Sequence, residues 1–186
     1  MKLDISGMRE MLLLVDEDDN VVGRETKQRC HDGKGLLHRA FMVAIVKEGK
    51  LLLTQRSKTK MLWPGFWDGS VSSHVHEGET YEESSRKRLK DELNIECNEM
   101  AYLFKFRYQV PYKDRGAEYE ICAVLVARFD GEINPNREEI SSCKYMNIEE
   151  LMEDMERSSE KYCPWLKIAF RMMMKEHKEE WEGLLH

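Results

Sequence analysis

Three histidines and two glutamates, His31, His38, His74, Glu118 and Glu120, are spread from position 31 to position 120 of the chain. Glu118 and Glu120 lie in Ala117-Glu118-Tyr119-Glu120-Ile121-Cys122, an alternating stretch that reads as a strand. Alternation puts both carboxylates on one face, pointing into one space. His74 stands just upstream of a helix that is preceded by Glu77-Gly78-Glu79-Thr80 and carries Asp91-Glu92 near its end. Imidazoles and carboxylates converging on one point make a site for a divalent cation. The chain must fold so that these distant segments meet.

The local patterns provide the segments. Met11 to Val15 is a short apolar strand, Asp16 to Asn20 a polar turn and Val21-Val22 the start of a return strand. Thr26 to His31 reads as a short helix stopped by Asp32-Gly33. His38 to Lys47 and Leu51 to Gln55 form a second hairpin across Glu48-Gly49, and Trp63 to Trp67 is a loop entering a short strand toward Val71. Thr80 to Leu93 reads as a helix, with Ser85, Leu89 and Leu93 recurring on one face and Glu82 and Glu83 in its first turn, where the helix dipole favours them. Met100 to Tyr112 and Glu118 to Phe129 are long strands, and Lys144 to Met146 a short one. Ile148 to Glu156 and Trp165 to about Leu185 read as amphipathic helices, with the Met172–Met174 run as core packing. This order predicts one α+β domain spanning residues 1–186, its core at about 11–175, with a mixed sheet sandwiched between helices in an α/β/α arrangement.

Charge narrows the partners. A formal net charge of −6 offers no global basic field for nucleic acid. Basic residues instead cluster locally, at Arg56, Lys58 and Lys60 and at Arg86, Lys87 and Arg88, which suits a small phosphorylated ligand. The five cysteines have no zinc-ribbon or Cys-x-x-Cys spacing. Met1 to Gly7 lacks the apolar core of a signal peptide, and the Leu12–Val15 run is far too short to span a membrane. The expectation is a reducing, cytoplasmic setting with free thiols, no membrane partner, and a monomer or homodimer.

Residues 73–95 resemble the Nudix box, G-x5-E-x7-R-E-U-x-E-E-x-G-U, where U is a bulky aliphatic residue. Glu79, Leu89, Glu92 and Ile95 match; Asp91 stands for a glutamate and Lys87 for the arginine; Ser73 and Asn94 replace glycines, and Arg88 replaces a glutamate with the opposite charge. A box of this kind holds magnesium for a diphosphate, and a cation at position 88 degrades it as a hydrolase site. From about Leu13 to Lys175 the chain is similar to the type 1 isopentenyl-diphosphate isomerases, members of the Nudix superfamily that are not hydrolases.

That resemblance implies a Nudix fold and a set of roles. His31, His38, His74, Glu118 and Glu120 would hold one divalent metal, manganese, zinc or magnesium. Glu92 would bind the magnesium carried by the substrate diphosphate, with Lys27, Arg56, Lys60, Lys87 and Arg88 as diphosphate contacts. Glu120 with Tyr108 would form one acid/base face, and Trp165 would stabilise a carbocation-like intermediate through its ring. The second face departs from the pattern. The family has a cysteine in a segment like Asn-Ser-Val-Cys, whereas this chain has Ser72 in Gly69-Ser70-Val71-Ser72. A hydroxyl is far less acidic than a thiol of pKa about 8.5, so a slow isomerase or an altered substrate is expected. Cys30 and Cys163 are possible substitute thiols. The alternatives are a Nudix hydrolase acting on a nucleoside diphosphate-linked substrate and a non-catalytic diphosphate-binding protein.

Overall fold

A computed structural model describes residues 10–185, so the Met1 to Gly7 stretch lies outside the described residues. In chain order the elements are β1 (Met11–Val15), β2 (Val21–Thr26), α1 (Lys27–His31), β3 (His38–Lys47), β4 (Lys50–Arg56), β5 (Trp67–Asp68), β6 (Val71–His74), α2 (Tyr81–Leu93), β7 (Ala101–Pro111), β8 (Ala117–Arg128), β9 (Ile140–Asn147), α3 (Ile148–Arg157), α4 (Pro164–Glu176) and α5 (Lys178–Leu185).

The strands form one mixed sheet with β3 as its spine. On one side β3 pairs in parallel with β8, from His38 opposite Glu120 to Val46 opposite Arg128. On the other it pairs antiparallel with β6, Ala40 opposite His74 and Met42 opposite Ser72. β7 adds to β8 with Tyr108 opposite Glu120. These registers bring the ligand-bearing segments together.

Both faces of the sheet are covered. Ala40, Met42, Val124 and Phe106 pack against Leu151 of α3 and Trp165, Ala169 and Phe170 of α4. Phe41, Val43, Ala123 and Leu125 pack against Leu89 and Leu93 of α2. β3 is buried along nearly its whole length because helices cover it on both sides, which explains its continuous apolar run.

α2 begins with a capping box: Thr80 Oγ1 accepts from the Glu83 N–H, and Glu83 Oε2 accepts from the Thr80 N–H. It ends at Asn94, which stands where the Nudix box has glycine and adopts φ 56°, a conformation asparagine tolerates. Gly116, at φ 136°, is a required glycine, since a Cβ there would overlap the His31 carbonyl oxygen. That close approach seats α1 against the β7–β8 turn.

The expected single helix from Trp165 to Leu185 is broken at His177. The His177 ring stacks on Phe104, centroids 4.5 Å apart, and its Nδ1 meets Glu180 Oε2 at 2.8 Å. A tertiary contact therefore sets the bend. β9 is also longer than expected, because seven of its residues pair with β4. No helix among the described residues is long and apolar enough to cross a membrane.

Candidate metal centre and active-site pocket

The five expected ligands converge. One ligand atom from each of His31, His38, His74, Glu118 and Glu120 lies within 4.8 Å of all the others, and all five residues are buried. Two ligands on opposite sides of a cation at about 2.1 Å are about 4.2 Å apart, so the spacing suits one metal ion. His31 Nε2 lies 2.8 Å from Glu118 Oε2; His38 Nε2 and His74 Nε2 lie 3.4 Å and 3.3 Å from Glu120 Oε1.

Backbone carbonyls orient two of the rings. His31 Nδ1 donates to the Lys27 carbonyl at 2.6 Å, and His38 Nδ1 to the Leu36 carbonyl at 2.7 Å. In each neutral ring this leaves Nε2 with its lone pair aimed into the cluster, the usual outer support of a metal-binding histidine. With the rings neutral, His38 Nε2 and Glu118 Oε2 are buried acceptors that no hydrogen-bond donor meets. Such atoms are costly unless a cation or other partner meets them, so the residues fit a metal.

Burial, reinforced by Lys27 and the other two imidazoles, holds His74 well below the usual histidine value. Burial also lowers His31, but Glu118 beside it more than reverses this and raises it to about 9. Burial raises Glu120, yet His38 and Tyr108 together bring it below the ordinary carboxylate value.

His31, His74, Glu118 and Glu120 of the cluster line one side of a partly open cleft. Tyr108 lines it and donates to Glu120 Oε2 at 2.5 Å. Burial, then Glu120 and Glu118, push the phenol well above its ordinary value, so it keeps its proton. Trp165 is also in the wall, at the start of α4, where Pro164 opens the helix. Arg56 lies over its ring, 5.3 Å from the centroid.

Of the expected diphosphate contacts, Lys27, Arg56, Lys60 and Arg88 line the cleft. Each also faces a carboxylate: Lys27 meets Glu10 at 2.7 Å, Arg56 meets Asp68 at 3.3 Å, Lys60 meets Glu139, and Arg88 meets Glu92 at 2.6 Å and Glu139 at 3.6 Å. Arg56 further donates to the Trp63 and Leu62 carbonyls, so much of its guanidinium serves the loop. Lys87 is placed differently from the expectation: it is exposed, bonded to Glu79, and outside the cleft lining. Side chains three or four residues apart share a helix face, and Lys87 falls off the face that carries Arg88 and Glu92.

Ser72 lines the cleft, and its hydroxyl donates to Asp68 Oδ1 at 2.9 Å. Neither Cys30 nor Cys163, the two possible substitute thiols, lines the cleft. Cys30 is buried, and burial with Glu25 and Glu120 nearby raises it to about 12; Cys163 is fully enclosed and pushed well above its ordinary value by burial and Asp68. Sequence reasoning missed Cys122, two residues beyond Glu120 on the same face and part of the lining. It also missed Asp68, whose one visible signal is an acidic residue in a strand position where aspartate is disfavoured. All five cysteines are free.

The NUDIX domain family matches residues 36–166, and the chain belongs to it. The chain is 37% identical over 169 residues to isopentenyl-diphosphate Delta-isomerase of Haloarcula marismortui, covering 88% of this chain and 90% of that one. It is 37% identical over 183 residues to isopentenyl-diphosphate Delta-isomerase 1 of Mus musculus, covering 87% and 81%. Among solved structures, DR0079 from Deinococcus radiodurans superposes with a TM-score of 0.66 at 27% identity, over 80% of this chain and 90% of that one. Within the Nudix proteins, this chain is a member of the isopentenyl-diphosphate Delta-isomerase family.

Proposed function

We propose that this protein is a metal-dependent isomerase that converts isopentenyl diphosphate to dimethylallyl diphosphate. The observation that carries the reading is the five-ligand His/Glu cluster with Tyr108 bonded to Glu120, set in the same cleft as Lys27, Lys60 and Arg88. A hydrolytic box does not need this cluster, and the two relatives above carry the isomerase name.

In this reading the cationic side chains bind the diphosphate, trading their carboxylate partners for phosphate oxygens. Glu92, now bonded to Arg88, would hold the magnesium that accompanies the diphosphate. Three imidazole nitrogens with two carboxylate oxygens suit manganese or zinc better than magnesium, which prefers all-oxygen sites. Bound there, the cation supplies electrostatic control of acidity at Glu120. Tyr108 and Glu120 hold the proton given to the terminal alkene carbon. Trp165 presents its ring to the positive charge that develops, beside Phe41 and Leu62 of the cleft lining. Ser72 faces the carbon that loses a proton.

The test is incubation of metal-loaded protein with isopentenyl diphosphate in D2O, following alkene and methyl signals by NMR beside Glu120→Gln and Ser72→Cys. Dimethylallyl product carrying deuterium, lost in Glu120→Gln, is expected. Release of phosphate without rearranged alkene would replace the reading with hydrolysis. Activity confined to Ser72→Cys would make the unmodified chain a diphosphate-binding protein on an isomerase scaffold.

A further inference from the structure

Asp68 sits immediately behind Ser72 and is only 2% exposed. Its Oδ1 accepts three hydrogen bonds, from Ser72 Oγ at 2.9 Å, Trp165 Nε1 at 2.8 Å and the Gly69 N–H at 2.7 Å. Its Oδ2 faces Arg56 Nη1 at 3.3 Å, the longest of the four contacts. Burying a carboxylate is expensive, and a pairing with one arginine often fails to offset the cost. Arg56 already donates to two carbonyls. Asp68 therefore joins two pocket residues, Ser72 and Trp165, to one buried charge.

The position is also significant. β6, which carries Ser72, and β8, which carries Glu120, flank β3 on opposite sides. Ser72 and Asp68 thus belong to the wall across β3 from Tyr108 and Glu120.

We propose that Asp68 is the proton acceptor of the second acid/base face, acting through the Ser72 hydroxyl in place of a thiol. This rests on the isomerase reading. As the carbon next to the diphosphate-bearing carbon loses its proton, the C–H electron pair becomes part of the new double bond. The proton goes to Ser72 Oγ while the serine proton passes along its existing hydrogen bond to Asp68 Oδ1. Serine ends neutral and Asp68 ends as a carboxylic acid. The proton added at the terminal carbon comes from the Tyr108–Glu120 pair, so the overall count balances. Exchange with water after product release resets both sides.

Serine alone needs a dedicated base to act in this way, and Asp68 is positioned as one. Burial raises the Asp68 carboxyl above its ordinary value against the opposing pull of Arg56, Ser72, Gly69 and Trp165, which favours proton uptake. Asp68 is a positioning residue in the sense that it reaches substrate only through Ser72.

The experiment compares Asp68→Asn, Ser72→Ala, the double variant, and Ser72→Cys in the Asp68→Asn background, with thermal melting as a folding check. The expected loss in kcat is about 10²–10⁴-fold for each single variant, with KM changed by less than about threefold. Two groups in series are non-additive, so the double variant should lose no more than either single one. Ser72→Cys should restore turnover to Asp68→Asn, because a thiol does not need the relay; a merely structural Asp68 would not be rescued this way. Unchanged kcat in folded Asp68→Asn, or failure of the cysteine to rescue it, overturns the relay. If Asp68→Asn does not fold, Ser72→Ala carries the test, since it leaves the other Asp68 contacts in place; unchanged kcat there overturns the relay. Absence of rearranged product from the unmodified protein instead overturns the isomerase reading itself.

Discussion

Two groups of carboxylates lie in this molecule, and their surroundings are opposite. Glu118 and Glu120 face three buried imidazoles, two of which are pinned by backbone carbonyls with their free nitrogens turned inward. Glu79 and Glu92 of the Nudix-box region face cations instead: Lys87 and Ser84 bond to Glu79, and Arg88 bonds twice to Glu92. Asp91 is exposed. A metal can enter the first group by meeting lone pairs that lack partners; at the second it must displace an arginine or a lysine. Counting acidic residues would rank the two alike. The groups that meet the carboxylates separate them, and they place the stronger metal site outside the box.

The contrast is broken most directly by exchanging one carboxylate from each group. Glu120→Gln removes a ligand and the acceptor of the Tyr108 proton, and should lower turnover of isopentenyl diphosphate by about 10²–10⁴-fold. Glu79→Gln removes an acid already bonded to an exposed lysine, and its effect should stay within about threefold because such exposed pairs are weak. Equal losses in the NMR assay would dissolve the distinction.

Metal linkage gives the next largest effect. A divalent cation at one hundred times its Kd should stabilise the protein by about 2.7 kcal/mol, read as a rise in Tm by calorimetry. The rise at a fixed manganese concentration should shrink in Glu118→Gln and persist in Glu92→Gln. The reverse pattern would move the tighter site to the box helix.

Glu139 sharpens the picture of the basic wall. It bonds to Lys60 and lies near Arg88, both of which line the cleft. Glu139→Gln should tighten pyrophosphate binding several-fold, on the order of 1 kcal/mol for a relieved charge pair, by titration calorimetry. Burial raises the Glu139 carboxyl, but Lys60 and Arg88 pull it further down, below the ordinary carboxylate value. Its contribution to stability is therefore present above the unfolded carboxylate value and is lost as pH falls through the lower folded one. The Tm difference between unmodified protein and Glu139→Gln should be level near neutrality and shrink only in acid.

The smallest effect is expected at Lys87. Lys87→Ala should change stability by less than about 0.5 kcal/mol and leave pyrophosphate affinity unchanged. A clear loss of affinity would return Lys87 to the diphosphate site.

Much of this architecture was legible in the residues. The apolar run of β3, the alternation of β8 and the Thr80–Glu83 cap are local patterns, and local patterns survive folding when the tertiary structure agrees with them. The alternation put Glu118 and Glu120 on one face, and the order of the histidines matched a family whose ligands they resemble. Ser72 was visible as a departure for the same reason, because its identity needs no coordinates.

Other features depend on pairings that no local window contains. β5 has only two residues, and it exists because Thr54 and Gln55 of β4 pair with it. That pairing, together with a tryptophan 97 positions away, makes Asp68 a buried acceptor. The break at His177 follows from a ring stacked on a distant strand, and the exclusion of Lys87 from the cleft follows from the rotation of α2 against the sheet. Residue types and their periodicity set which chemistry was available and which segments would be strands or helices. Which carboxylate met an imidazole, which met a cation and which lay behind Ser72 came from long-range packing, because the free energy of a buried charge depends on the neighbours that replace its water.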